Sequence, residues 1–202
     1  MTAIAASAAL KVSSPATNSQ GADGQVSVIT ALVGTWQTTC QRNDYFDCFS
    51  YSTVAFDQNG NKNRQIFTFS DSNCKDLLAT LSDTTQVQFG QASTTIAGAQ
   101  ETIENYTQAT ITPASDAGAS RWASRMSQNS VISCKSAKFQ SGVTTNMTSC
   151  VQALQGGVTS YSLLKLNGSQ LQLGDCSGNG VCESAATRSK ILNPDSIYTK
   201  VN

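Results

Sequence analysis

From Val26 to the C-terminus, apolar and polar residues alternate in short runs separated by turn formers, the period of strands. Residues 29–40 read as a first strand led in by a short apolar turn. Residues 46–57 and 63–70 are β-rich runs on either side of Asn59-Gly60, a pair that supplies the positive φ angles of a hairpin turn. Residues 77–81 and 86–89 continue the meander. Over 103–111 the alternation places Ile103, Asn105, Thr107, Ala109 and Ile111 on one face, with Glu104, Tyr106, Gln108 and Thr110 on the other. A low-order bridge at 113–120 precedes a short helix predicted over 121–129. Residues 130–139 and 144–154 read as strands around Ser141-Gly142. The clearest hairpin is 161–166 with 170–173, turning at Asn167-Gly168, with Leu164, Leu166, Leu171 and Leu173 on its arms. Residues 191–201 close the pattern.

About eight to ten short strands at this spacing predict an all-β antiparallel barrel or sandwich. The bridge at 113–120 divides the chain into halves too small for separate cores, so residues 26–202 are taken as one domain. Residues 1–25 stand apart. Met1 to Leu10 is small and apolar, lacks a charged n-region and is too short for a span, and reads as the remnant of a leader. Residues 11–25, rich in Ser, Asn, Gly and Ala, read as a flexible tether.

Charge narrows the function classes. The 13 basic and 13 acidic residues cancel, which makes a poor electrostatic partner for nucleic acid or an anionic membrane. The chain has no histidine, so Ser–His–Asp and Cys–His catalysis are excluded, and no Gly-x-Ser-x-Gly elbow occurs. Glu101 and Glu104, three apart, point to opposite faces of a strand, which argues against paired-carboxylate glycoside chemistry from these two. The expectation is a protein that is not an enzyme and carries no cofactor.

Seven cysteines without a Cys-x-x-Cys pair indicate an oxidising compartment rather than a zinc site. The Asn59-Gly60 hairpin returns Cys74 to the neighbourhood of Cys40 and Cys48, so those three thiols gather at one end. Cys134–Cys150 is expected across one hairpin and Cys176–Cys182 within another. Asp175 to Gly180 has oxygen side chains at alternate positions, as in a calcium loop, but Ala186 stands where the closing Glu belongs. A hairpin pinned by Cys176–Cys182 is the preferred reading, and no metal is expected. Three Asn-x-Ser/Thr sequons, at Asn105, Asn146 and Asn167, are chance matches in so Asn- and Thr-rich a chain.

Phe49, Tyr51, Phe67, Phe69, Phe89 and Tyr106 lie on several of these strands. They are the candidate lining of a ligand cavity, or alternatively the filling of a packed core; sequence separates the two no further.

Three short elements occur in order: Gly34-Thr35-Trp36 with Cys40, Phe69-Ser70-Asp71 with Cys74, and Gly98-Ala99-Gln100-Glu101. Gly-x-Trp on a first strand with an Arg before the closing segment, here Arg188, resembles the lipocalin pattern. A closer resemblance is to the lipocalin-like module of the Wnt-antagonist family named for its down-regulation by the adenomatous polyposis coli protein, and to similar bacterial proteins. It covers residues 32–112 well. It implies an eight-stranded up-and-down barrel, a lipid-binding habit, a Cys40–Cys74 disulfide that leaves Cys48 free, and Arg188 stacked on Trp36 at the closed end. The resulting expectation is an extracytoplasmic protein (periplasmic, tethered to the outer membrane as a lipoprotein, or secreted) that binds a small hydrophobic or amphipathic ligand such as a lipid. The alternative is an adhesive surface module with a packed barrel whose loops meet another protein.

Overall fold

A computed structural model describes residues 28–44, 46–128, 130–175 and 182–201. The strands run β1 (Gly34–Gln37), β2 (Gln41–Asn43), β3 (Cys48–Phe56), β4 (Asn61–Phe69), β5 (Leu77–Ala92), β6 (Ala99–Pro113), β7 (Thr145–Asn146), β8 (Thr159–Asn167), β9 (Gln170–Asp175) and β10 (Ile191–Val201). Every pairing is antiparallel, and β1 bonds both β10 and β3, which closes β1, β3, β4, β5, β6, β8, β9 and β10 into an eight-stranded barrel. Closure removes the unpaired edges that would otherwise invite association. The two short strands lie off this ring, β2 on β3 and β7 on β6.

Turn chemistry sets the hairpins. Asp57 accepts the amides of Asn59 and Asn61, while Gly60 adopts φ +79 where an added Cβ would meet the Val87 carbonyl at 2.8 Å. The resulting register pairs Phe56 with Lys62 and continues to Phe49 with Phe69. Asn167-Gly168 likewise joins β8 to β9 and sets Leu164 against Leu173 and Leu166 against Leu171.

One end of the barrel is sealed by a helical turn at residues 28–32 and an apolar cluster of Leu32, Trp36, Val54, Phe56, Val87, Phe89, Leu164, Leu171 and Tyr198. The Trp36 indole donates to the Leu32 carbonyl at 2.8 Å. Lys200, directly opposite Trp36 in the β1–β10 register, lays its ammonium 5.2 Å from the Trp36 ring centroid and reaches the Ala31 carbonyl at 3.3 Å. A cation at the last carbonyls of a helical turn is favourably placed.

The other end is covered by helices α1 (Asp116–Ser127), α2 (Ile132–Lys135) and α3 (Thr148–Leu154). This corrects the sequence expectation of strands over 130–139 and 144–154: those segments carry α2 and α3. Only the short β7 and a Gln140–Val143 bridge remain extended between them. The low-order bridge at 113–120 is also overturned, because α1 begins inside it. Ser115 caps α1 by accepting the Gly118 amide, and Gly118 packs so tightly on β5 that a Cβ would come 2.0 Å from the Leu78 carbonyl. Residues 77–92 form one continuous strand rather than two.

Between described residues two disulfides staple the fold, Cys40–Cys74 at the base of β2 and Cys134–Cys150 between α2 and α3. Cys48 is a buried free thiol. Cys176 lies outside the described residues, and with it the expected Cys176–Cys182 pair and the calcium-like loop.

Candidate ligand chamber

The Ser70-Asp71 element is a turn organiser. The Asp71 carboxylate accepts the amides of Asn73, Lys75 and Asp76, and within that turn Cys74 takes a positive φ of 53° to reach Cys40. These backbone bonds, that from Asp76 foremost, hold the Asp71 pKa below its usual range. The Gly98-Ala99-x-Glu101 element has a different part. Gly98 turns β5 into β6 at φ +74, and Glu101 meets Arg188 at 3.4 Å.

Arg188 is therefore not on Trp36, contrary to the sequence expectation. Its guanidinium donates to the Thr102 and Ser162 carbonyls at 2.6 and 2.9 Å and lies 5.4 Å from the Tyr161 ring centroid. The reason is topological. Segment 182–190 runs alongside β8, with the Tyr161 amide on the Cys182 carbonyl and the Ser189 amide on the Tyr161 carbonyl. Lys200, at the far end of β10, takes the Trp36 ring instead.

Inside the barrel, between the sealed end and the helices, is a cavity of about 510 Å³. Registers give its layers. Directly above the apolar seal, Lys62 of β4 forms an ion pair with Glu104 of β6 diagonally across β5, where Lys62 lies opposite the fully buried Thr85 and Glu104 opposite Val87. Lys62 is 3 % and Glu104 6 % exposed. One row higher, Arg64 directs Nε and Nη2 onto Oδ2 of its register partner Asp83, both at 2.8 Å. Asp83 in turn lifts the Arg64 pKa further above its already high value, so that guanidinium is a permanent cation. Tyr106, Ser160 and Ser162 complete this ionic floor. Above it the walls turn apolar: Ile66, Leu81, Ala109 and Ile111 from the strands, with Trp122, Met126, Met147, Val151 and Leu154 from the helical side.

The change from polar floor to apolar chamber along β6 comes from a β-bulge. Thr84 pairs with Gln108 but Thr85 pairs with Tyr106, leaving Thr107 as an extra residue. The strict alternation expected over 103–111 therefore breaks: Glu104 and Tyr106 face inward below the bulge, and Ala109 and Ile111 above it. The backbone around the bulge is bonded by α3. Gln152 donates to the Tyr106 carbonyl, and the Thr148 hydroxyl accepts the Ala109 amide.

Of the six candidate lining residues, Tyr106 borders the cavity. Phe89 faces inward but is part of the apolar seal. Phe49, Tyr51, Phe67 and Phe69 are corrected to the outer face of β3 and β4, where Tyr51 stacks on Phe67 at 4.9 Å and on Phe69 at 5.5 Å. The inner positions of these strands are the even ones, Ser50, Ser52, Val54 and Phe56 on β3 and Lys62, Arg64, Ile66 and Thr68 on β4. Reading missed Lys62, Arg64, Asp83 and Glu104 because charged strand positions look like a solvent face. The available signal was that Lys62 and Arg64 share their side of β4 with Ile66.

The Tyr106 hydroxyl, on a side chain 7 % exposed, faces this space without a hydrogen bond to any described residue. Burial, and then the nearby Glu104 charge, push its pKa well above the ordinary phenol value, so it remains a protonated donor. Thr102, fully buried next to Glu104 on the inner face, also has a hydroxyl without a partner. Among the described residues no cluster of three or more metal-ligating side chains occurs, and no helix is long and apolar enough to cross a membrane.

No family model matches the chain, and no curated protein matches it. The class that the coordinates define is a closed, disulfide-stapled antiparallel β-barrel with a helical cap over an internal cavity.

Proposed function

We propose that this protein is a non-enzymatic, extracytoplasmic binding protein of the lipocalin-like kind that holds a small amphipathic molecule, a lipid or similar compound, in the chamber between the ionic floor and the helical cap. The observation that carries this reading is the cavity of about 510 Å³ with apolar walls above buried polar groups, within the size range of small-molecule sites. An apolar body there gains by burial, at ~25 cal/mol per Å², while the floor fixes the polar end. Two disulfides in the described chain fit an oxidising compartment.

Native mass spectrometry of protein purified without detergent tests it directly, with a fluorescent acyl probe as the second measurement. Binding is expected to be saturable and to be lost in Leu154→Trp, which fills the chamber from α3. A probe that binds this variant as well as the parent rules out the chamber as its site.

A second reading, a surface module that meets another protein, has the outward, half-buried Tyr51–Phe67 stack in its favour. The packed barrel expected for such a module is at odds with the cavity.

A further inference from the structure

The charges in the floor bear on what head group the chamber accepts. Lys62 is committed to Glu104 and Arg64 to Asp83, so these four groups sum to zero charge within the barrel, and Asp175 of β9, the fifth charged group of the lining, is itself engaged by a neighbour. An incoming carboxylate would find both cations already paired and two carboxylates beside them, and an incoming ammonium would find the converse. Either would be desolvated without a counter-ion of its own. What the floor still offers are neutral groups: the Tyr106 hydroxyl, without a hydrogen bond to any described residue, and Ser160 and Ser162 on the adjacent strand β8. Carboxylate oxygens of the paired acids have lone pairs left to accept from a ligand N–H or O–H.

We propose that the chamber selects an amphipathic ligand whose head is uncharged and both donates and accepts hydrogen bonds, such as an alcohol, a primary amide or a glycerol ester, with its apolar body under the helical cap. The head lies deep, against Tyr106 and the ion pairs, and the tail extends toward Ile111, Met147 and Leu154. This rests on the reading that the cavity holds a ligand, and narrows it to one head-group class. Burying an unpaired charge is far costlier than burying a hydrogen-bonded amide, so the discrimination expected between matched ligands is at least tenfold.

The experiment compares dodecanamide, dodecanoate and dodecylammonium at neutral pH by calorimetry or probe displacement on the full chain. Dodecanamide is expected to bind at least tenfold more tightly than either ion. Asp83→Asn should reverse the order toward dodecanoate, because it releases the Arg64 guanidinium, which stays charged. Tyr106→Phe, which leaves both ion pairs intact, should weaken dodecanamide by about three- to tenfold, the worth of one hydrogen bond, without strengthening dodecanoate. It serves as the test if Asp83→Asn does not fold. Dodecanoate or dodecylammonium binding the parent as tightly as the amide overturns the head-group proposal while leaving the binding function standing. An amide indifferent to Tyr106→Phe, or an unreversed order in folded Asp83→Asn, overturns it too. If none of the three binds, the binding function itself falls, and this proposal with it.

Discussion

Lys62 and Glu104 are paired diagonally across a strand that neither belongs to, Lys62 lying opposite Thr85 of β5 and Glu104 opposite Val87. Such a pair is costly to break and much less costly to replace. Removing one partner leaves an uncompensated buried charge, whereas exchanging both for apolar residues removes the desolvation cost as well. Glu104→Leu is therefore expected to lower unfolding stability by about 3–5 kcal/mol. The double variant Lys62→Met/Glu104→Leu should recover most of that loss. Urea titrations of the singles and the double decide the point, and a double variant as unstable as the single would refute it.

Arg188 joins three parts of the chain that are far apart in sequence: Glu101 and Thr102 of β6, Ser162 of β8, and its own segment before β10. Lysine has the charge but not the planar fork that serves two carbonyls and a carboxylate together. Arg188→Lys is expected to cost about 1.5–3 kcal/mol, the range for hydrogen bonds to a charged group. Lys200→Met, at an exposed position where only a cation–π contact and one carbonyl are lost, should cost less, about 0.5–1 kcal/mol. Thermal melts of the two variants should rank in that order.

Asp57 and Asp71 make stability depend on acid. Each carboxylate accepts hydrogen bonds that lower its pKa, from the Asn61 side chain first for Asp57 and from the Asp76 amide first for Asp71. A carboxyl depressed in the folded state contributes stability above its unfolded value, about 3.9 for Asp. That contribution is lost as pH falls through the lower folded value. Below about pH 4 the parent should lose stability more steeply than Asp57→Asn or Asp71→Asn, and chemical denaturation repeated from pH 6 to pH 2 reads the difference in slope.

Cys48 is expected to resist thiol reagents in the native state. It is 3 % exposed, and burial raises its pKa above that of an ordinary thiol, only partly offset by Arg121, so little reactive thiolate forms. Reaction with a disulfide reagent at pH 8 should proceed at the rate of unfolding rather than the rate of a free thiol. Rapid stoichiometric labelling of native protein would contradict this.

The disulfides should differ in what their loss does. In the chain-entropy model, closing the 16-residue separation of Cys134–Cys150 is worth about 3 kcal/mol and the 34 residues of Cys40–Cys74 about 4. Yet the first staples α2 to α3 at the chamber and the second pins β2 outside the barrel ring. Cys134→Ala/Cys150→Ala is expected to weaken acyl-probe binding, whereas Cys40→Ala/Cys74→Ala lowers the melting temperature with binding at low temperature retained.

Features written in local chemistry were readable from the chain. Asn59-Gly60 and Asn167-Gly168 fix their hairpins within a few residues, and the leucine pairs of β8 and β9 follow from the second of them. What escaped reading depends on partners distant in sequence. The helical character of 132–135 and 148–154 runs against β-branched Val131, Ile132 and Val151, and is set by packing on Ala109 and Ile111 of β6. Tyr51, Phe67 and Phe69 look like interior residues by type, yet the β3–β4 register puts them outside and puts Lys62 and Arg64 within. Composition alone holds no sign of this, because the acids that neutralise those cations lie on other strands.

The bulge at Thr107 makes the lining of the chamber depend on register. Below it β6 turns Glu104 and Tyr106 inward, and above it Ala109 and Ile111. Were Thr107 paired in the ladder instead of bulged, the same sequence would carry Gln108 and Thr110 to the inside and hand its Ala109 and Ile111 to the surface. The oiliness of the compartment is thus an arithmetic property of the strand: parity, more than the choice of any single side chain, decides whether it accommodates a hydrocarbon tail or water.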